Sequence, residues 1–327
     1  MAVRRTADGV SHPGRISPVY KRTGRTVPGG SSLRFIRGPG EPSRVVHIRK
    51  PGNSGGSILR LIITDIKIKM INTNRVNRHS PHKHILKIIL LAITALAFLT
   101  VFSFFVYVSA YYHADDSGSV AEALTSGEAV AVEKTDYGWF FDGPSGENLL
   151  VFYPGAKVEE TAYAPFLHLL AERGMDACLV KMPFHLAVFG VDRAEAVLED
   201  PAYAGYRRRY VGGHSLGGAM AASFAASHMD SAVPLDGVIL CAAYPAVRLE
   251  EPLRELVLYG SEDGVLNMDA LRKADDYAPS DYTEYVIRGG NHAQFGDYGI
   301  QKGDGEAVIS ARDQQEQAVE VILQFCK

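Results

Sequence analysis

Three widely spaced residue types in this chain suit nucleophilic catalysis. Ser215 lies in Gly213-His214-Ser215-Leu216-Gly217. A serine hydroxyl is a weak nucleophile at neutral pH and needs a base within hydrogen-bond reach. An imidazole suits that task, because it accepts and returns a proton near neutral pH. A third group, an acid, then fixes the imidazole tautomer and stabilises the imidazolium. Downstream of the serine come Ser261-Glu262-Asp263-Gly264 and then Gly289-Gly290-Asn291-His292. The expected roles are Ser215 as nucleophile, His292 as base and Asp263 as orienting acid. Glu262 is the rival acid. His168, His214 and His228 are weaker bases, placed respectively in mid-helix, facing away from the nucleophile side of the turn, and at a helix end. The amide of Leu216, at a helix N-terminus, is suited to hold an oxyanion. A second such amide is expected after the first main strand, from Ala156 or, less favoured, Gly155. The structural alternative is that each of these residues is only a turn or surface residue.

The elements around these residues must place them together. The apolar run 210–213, the sharp turn at Ser215 and the small-residue run 216–226 read as strand, turn and helix. This is the setting in which a G-x-S-x-G serine is exposed. The glycines are needed because a side chain at either position would collide with the neighbouring strand or helix. Residues 255–260 and 282–288 read as strands, so the acid and the base both fall in loops that follow strands. Further strands are expected at 129–133, 139–142, 148–153, 176–181 and 237–242. Helices are expected at 162–173, 193–199, 266–274 and 314–325. Alternating strands and helices imply an α/β fold, with a mostly parallel sheet covered by helices on both faces.

Several motifs extend this pattern: Tyr153-Pro154-Gly155-Ala156-Lys157-Val158, Met182-Pro183, Gly213-His214-Ser215-Leu216-Gly217-Gly218, Gly260-Ser261-Glu262-Asp263-Gly264 and Gly290-Asn291-His292-Ala293-Gln294-Phe295-Gly296. With them, the segment from about Asn148 to Cys326 resembles the α/β-hydrolase fold family, and within it a small bacterial dienelactone-hydrolase-like branch. The resemblance implies the fold and serine hydrolase chemistry without a cofactor; it does not imply a substrate. It leaves open a non-catalytic binding domain on the same fold, or acyl transfer by the same nucleophile. The short stretch between the strands ending near 242 and starting near 255 has no room for an inserted lid, so an open site is expected. Phe184, Leu186, Val188, Phe189, Tyr244 and Phe295 are either pocket lining or core.

The charge is unevenly distributed. Residues 1–87 carry 18 Lys and Arg against three acids, and the remainder carries 16 against 34. An acidic domain of this kind would repel phosphates, which argues against nucleic-acid binding. Between the two parts, residues 88–110 hold no Asp, Glu, Lys or Arg. At about 1.5 Å per residue such a run crosses a bilayer core. The basic residues before it place the N-terminus in the cytoplasm and the remainder outside. A cleaved signal peptide ending at Ala110 is the alternative; the run is longer than a signal core, which favours a retained anchor. The expected organisation is a basic disordered segment (1–87), a transmembrane helix (88–110), a polar linker (111–127) and the catalytic domain (128–327). Met70 stands close before the apolar run and is a candidate translation start. The expected partners are the membrane and a small-molecule or lipid-like acyl substrate. Cys178, Cys241 and Cys326 are an odd number and two lie in strand-like runs, so they read as buried thiols rather than a disulfide framework. No CxxC or HExxH pattern marks a metal site.

Overall fold

The computed structural model describes residues 81–327; the disordered reading of 1–87 up to residue 80 and the candidate start at Met70 lie outside the described residues. In chain order the elements are α1 (Pro81–Ser109), α2 (Ser119–Ala123), β1 (Ala131–Lys134), β2 (Gly138–Asp142), β3 (Asn148–Tyr153), α3 (Ala164–Glu172), β4 (Asp176–Val180), α4 (Arg193–Leu198), β5 (Arg208–His214), α5 (Leu216–Ser227), β6 (Gly237–Cys241), β7 (Arg254–Gly260), α6 (Met268–Ala274), β8 (Tyr282–Ile287) and α7 (Ala311–Phe325).

The strands form one sheet of eight in the order β1-β2-β4-β3-β5-β6-β7-β8. β1, β2 and β4 pair antiparallel, and every pairing from β4 through β3 to β8 is parallel. The central strands are apolar because both faces are covered. From Leu149 to Tyr153, β3 is fully buried, and each such side chain contributes roughly 1.5–3 kcal/mol of burial free energy. The covering helices lie on opposite faces. Tyr210 on β5 meets Phe325 of α7. Gly213, an odd number of residues further on and so facing the other way, abuts Gly217 of α5. Two helix starts are capped by side chains: Ser310 and Asp313 form a reciprocal capping box on α7, and Asn267 caps α6.

Around the apolar run, two readings differ from expectation. The apolar helix starts at Pro81, so Lys83 and Lys87 belong to it rather than to the basic segment before it. A proline is tolerated at a first helical position, and nothing between it and Ile88 ends a helix. The helix from His82 to Ser109 is long and apolar enough to cross a membrane, by length and composition. The 111–127 segment is not a free tether. Tyr112 N–H donates to the Lys157 carbonyl at 2.7 Å, and Glu159 N–H donates to the Tyr112 carbonyl at 2.8 Å. Asp115 N–H reaches the Asp297 carbonyl at 2.7 Å, and Ser119 Oγ donates to Asp297 Oδ2 at 2.9 Å. These bonds use backbone groups and short polar side chains, so a polar composition conceals a packed strap.

Candidate active site

The chain crosses the carboxyl edge of the sheet at Ser215 with φ 53° and ψ −126°, a conformation that costs a non-glycine residue of order 1–3 kcal/mol. The flanking glycines make the turn possible. A Cβ on Gly213 would meet Gly217 at 2.8 Å, and one on Gly217 would strike the carbonyl oxygens of Tyr153 and Pro154. Ser215 N–H donates to the Cys241 carbonyl at 2.9 Å, which pins the turn to β6.

Asp263 follows β7 and His292 follows β8, and the fold brings them into contact. His292 Nδ1 lies 2.9 Å from Asp263 Oδ2, with both side chains 1% exposed. Asp263 Oδ1 accepts the amides of Val265 at 2.9 Å and Leu266 at 2.8 Å, so its carboxylate is fixed. Glu262, the rival acid, is exposed, and among the described residues its carboxylate accepts only from Ser261 Oγ. His292 Nε2 is buried and has no partner among the described residues. The His292 ring packs 4.5 Å from that of His214, the residue before Ser215. Serine, acid and histidine therefore share one edge of the sheet.

His214 does not face away from this edge, as its sequence position suggested. It lies beneath His292, wholly buried, and its Nδ1 is 2.8 Å from the Tyr163 hydroxyl. Burial, and secondarily the neighbouring His292, hold its pKa well below the ordinary histidine value. Burial raises the Tyr163 hydroxyl far above its usual value, so it meets Nδ1 as a neutral hydroxyl, with the direction of the hydrogen bond set by the His214 tautomer. The other two rivals lie elsewhere, His168 against the Ala123 carbonyl and His228 against that of Val233.

The oxyanion expectation needs one correction. Gly155 N–H donates to Tyr163 Oη at 3.0 Å, because the loop closes over that buried hydroxyl; this amide is already used. The amides of Ala156 and Leu216 have no hydrogen-bond acceptor among the described residues. They remain available to a developing negative charge.

Two supporting residues had no sequence signal. Asp304 accepts four amides: Gly264 and His292 at 3.1 Å on Oδ1, Gly305 at 2.8 Å on the same oxygen, and Ala293 at 2.8 Å on Oδ2. It thereby joins the acid loop to the histidine loop. Gln314, from α7, accepts Asn291 N–H and donates to the Asn291 carbonyl. Of the expected lining residues, Phe295 and Leu186 are core, whereas Phe184, Val188 and Phe189 are exposed. Cavities of about 400 and 660 Å³ flank the loop carrying those three; their linings include neither Ser215 nor His292. The three cysteines are free and buried.

The family profile described as "Alpha/beta hydrolase family" matches residues 149–316, and the chain belongs to this family. No curated protein matches it. Among solved structures, it is similar in fold to a bacterial heroin esterase (13% identity, TM-score 0.49, 65% of this chain and 90% of that one). It is also similar to carboxyl esterase 2 from Tuber melanosporum (10% identity, TM-score 0.46, 66% and 91%) and to a monoacylglycerol lipase from Paleococcus ferrophilus (12% identity, TM-score 0.44, 60% and 99%). These likenesses are of fold alone.

Proposed function

We propose that this protein is a serine hydrolase of ester or related acyl bonds, anchored by α1 with its catalytic domain outside the membrane. The observation that carries the reading is the His292–Asp263 contact, with His292 Nε2 left unpartnered at the edge where Ser215 occupies its strained turn. In this mechanism His292 Nε2 takes the Ser215 proton while Oγ bonds to the acyl carbon. The tetrahedral oxyanion accepts hydrogen bonds from the amides of Leu216 and Ala156. His292 then gives its proton to the leaving alcohol as the C–O bond breaks. Water, deprotonated by His292, attacks the acyl-enzyme, and the acid leaves with Oγ reprotonated. Asp263 holds Nδ1–H throughout. An oxyanion donor of this kind is worth about 3–4 kcal/mol of transition-state stabilisation.

Ser215→Ala tests the reading. The variant should keep the wild-type melting temperature, lose labelling by a fluorophosphonate probe and lose p-nitrophenyl ester hydrolysis. Equal labelling of variant and wild type would refute the assignment.

A further inference from the structure

The carboxyl edge of the sheet and the end of α1 are locked together. Only Ala110 and Tyr111 separate Ser109, the last helical residue, from Tyr112. Tyr112 is bonded through its backbone to Lys157 and Glu159, directly after Ala156. Three residues span at most about 10 Å. Lys157, next to the candidate oxyanion amide, is therefore one hydrogen bond from a residue that lies at most about 10 Å from the helix end.

The loop after β4 fills the space beside it. The His185 carbonyl accepts Lys157 N–H at 2.7 Å, and the residues that follow, through Phe189, pack on α5, the helix behind Ser215. Phe184 and His185 both adopt left-handed backbone, φ 56° and 55°, conformations that non-glycine residues adopt at a cost. Phe184, Val188 and Phe189 are respectively 44%, 45% and 51% exposed, although an apolar surface of that size is expensive in water. Phe184 and Phe189 pack edge-on against Phe104 of α1, at 5.3 and 5.8 Å between ring centres.

Position along the helix gives the depth of these rings. Counting about 20 residues from Lys87 brings the outer hydrocarbon edge near Tyr107, so Phe104 lies inside it. Tyr107, Tyr111 and Tyr112 cluster at the level where aromatic residues mark a membrane–water interface. Lys157 places its ammonium 4.2 Å from the centre of the Tyr107 ring, at the same level.

We infer that Phe184, Val188 and Phe189 form a second membrane contact that seats the catalytic edge on the outer bilayer surface, so that the acyl substrate enters from the lipid phase. The occupant of this apolar surface is the bilayer itself, because the surface is continuous with the membrane-crossing helix. The inference rests on the anchored serine hydrolase reading and assigns it a substrate class, bilayer-borne acyl esters.

The test uses the full chain reconstituted in phosphatidylcholine vesicles brominated near the top of the acyl chains. Trp139 is first replaced by Phe, and a single tryptophan is then placed at Phe189→Trp or at Tyr285→Trp on the distant edge strand β8. Tryptophan at 189 is expected to be strongly quenched and tryptophan at 285 unquenched. Equal quenching at the two positions, in protein that resists carbonate extraction, overturns the inference and leaves the anchor standing. Extraction by carbonate overturns the anchor and the inference together. A second measurement compares hydrolysis of a vesicle-borne long-chain ester with that of a soluble p-nitrophenyl ester. In Phe184→Ser/Phe189→Ser the ratio of these rates should fall about tenfold or more, since interfacial binding scales with buried apolar area. An unchanged ratio overturns lipid-phase delivery. No hydrolysis of either ester by the wild type overturns the hydrolase reading and, with it, the substrate class, whatever the quenching shows.

Discussion

Strand β7 carries an enclosed acid at each end, and the two ends treat it differently. Asp263, just past the carboxyl end, has both oxygens engaged, by two amides and the imidazole of His292. Glu255, at the amino end, is only 1% exposed, and neither of its carboxylate oxygens has a partner among the described residues. Burial, followed by the charge of Asp275, pushes its pKa up to about 7. Enclosure therefore does not mark the candidate site; convergent donors do. Three donors around one carboxylate suit an acid that orients an imidazole, whereas an enclosed carboxyl without donors holds its proton to higher pH.

The largest effect is expected from reversing the donor pattern at Asp263. In Asp263→Asn an amide either turns its N–H₂ toward His292 Nδ1 or presents a weaker acceptor, so the imidazole loses its tautomer control. Turnover of a soluble ester should drop by about 10⁴-fold with geometry retained. Steady-state kinetics on folded protein check this. A loss smaller than about tenfold would take the orienting role away from Asp263 and remove the functional half of the contrast.

A smaller effect is expected from Asp304, which touches no reacting group and acts by holding two loops in register. Asp304→Ala releases the amides of Gly264, His292 and Ala293. Displacing a catalytic imidazole by about 1 Å costs on the order of 10²-fold, and that loss should appear in kcat with KM little changed. Asp304→Asn, which retains an acceptor oxygen, should recover part of it. If alanine and asparagine lower kcat equally, or if KM alone changes, Asp304 does not position His292.

What was legible in the sequence was local. The turn at Ser215 needs glycines within a few residues of the serine, and the strands of the sheet appear as continuous apolar runs. Those runs also order the loops, which is why Asp263 and His292 could be read as following β7 and β8. What was hidden depends on contacts between distant segments. Tyr163 meets His214 across 51 positions, and Asp304 meets Gly264 across 40. Neither partner carries a local pattern announcing the other. The Gly155 amide failed as a donor for the same reason, since the acceptor that claims it belongs to another element. The strap after α1 was misread because its bonds are largely to backbone, and backbone pairing leaves no trace in a polar composition. His214 was misplaced because a strand-end histidine can face either side, and the packing of His292 decided it.

The smallest effect sharpens the other half of the contrast. A glutamate titrates near 4.5 when unfolded, and Glu255 titrates at about 7 when folded. Below the unfolded value both states hold the proton, so the contribution of this group to stability is fully present. As pH rises toward 7 the unfolded chain releases the proton and the folded chain retains it. Stability therefore falls across that window, and the loss is complete once pH passes the folded value. Glu255→Gln replaces a neutral acid by a neutral amide of the same shape and has no proton to lose. Its melting temperature should match the wild type near about pH 4.5 and exceed it near about pH 8, by the equivalent of about 3 kcal/mol at most. Thermal unfolding of both full-length proteins in the same detergent at the two pH values measures the difference. A gap that does not widen with pH would mean that Glu255 is ionised and partnered in solution, and the two ends of β7 would then differ less than their hydrogen bonds imply.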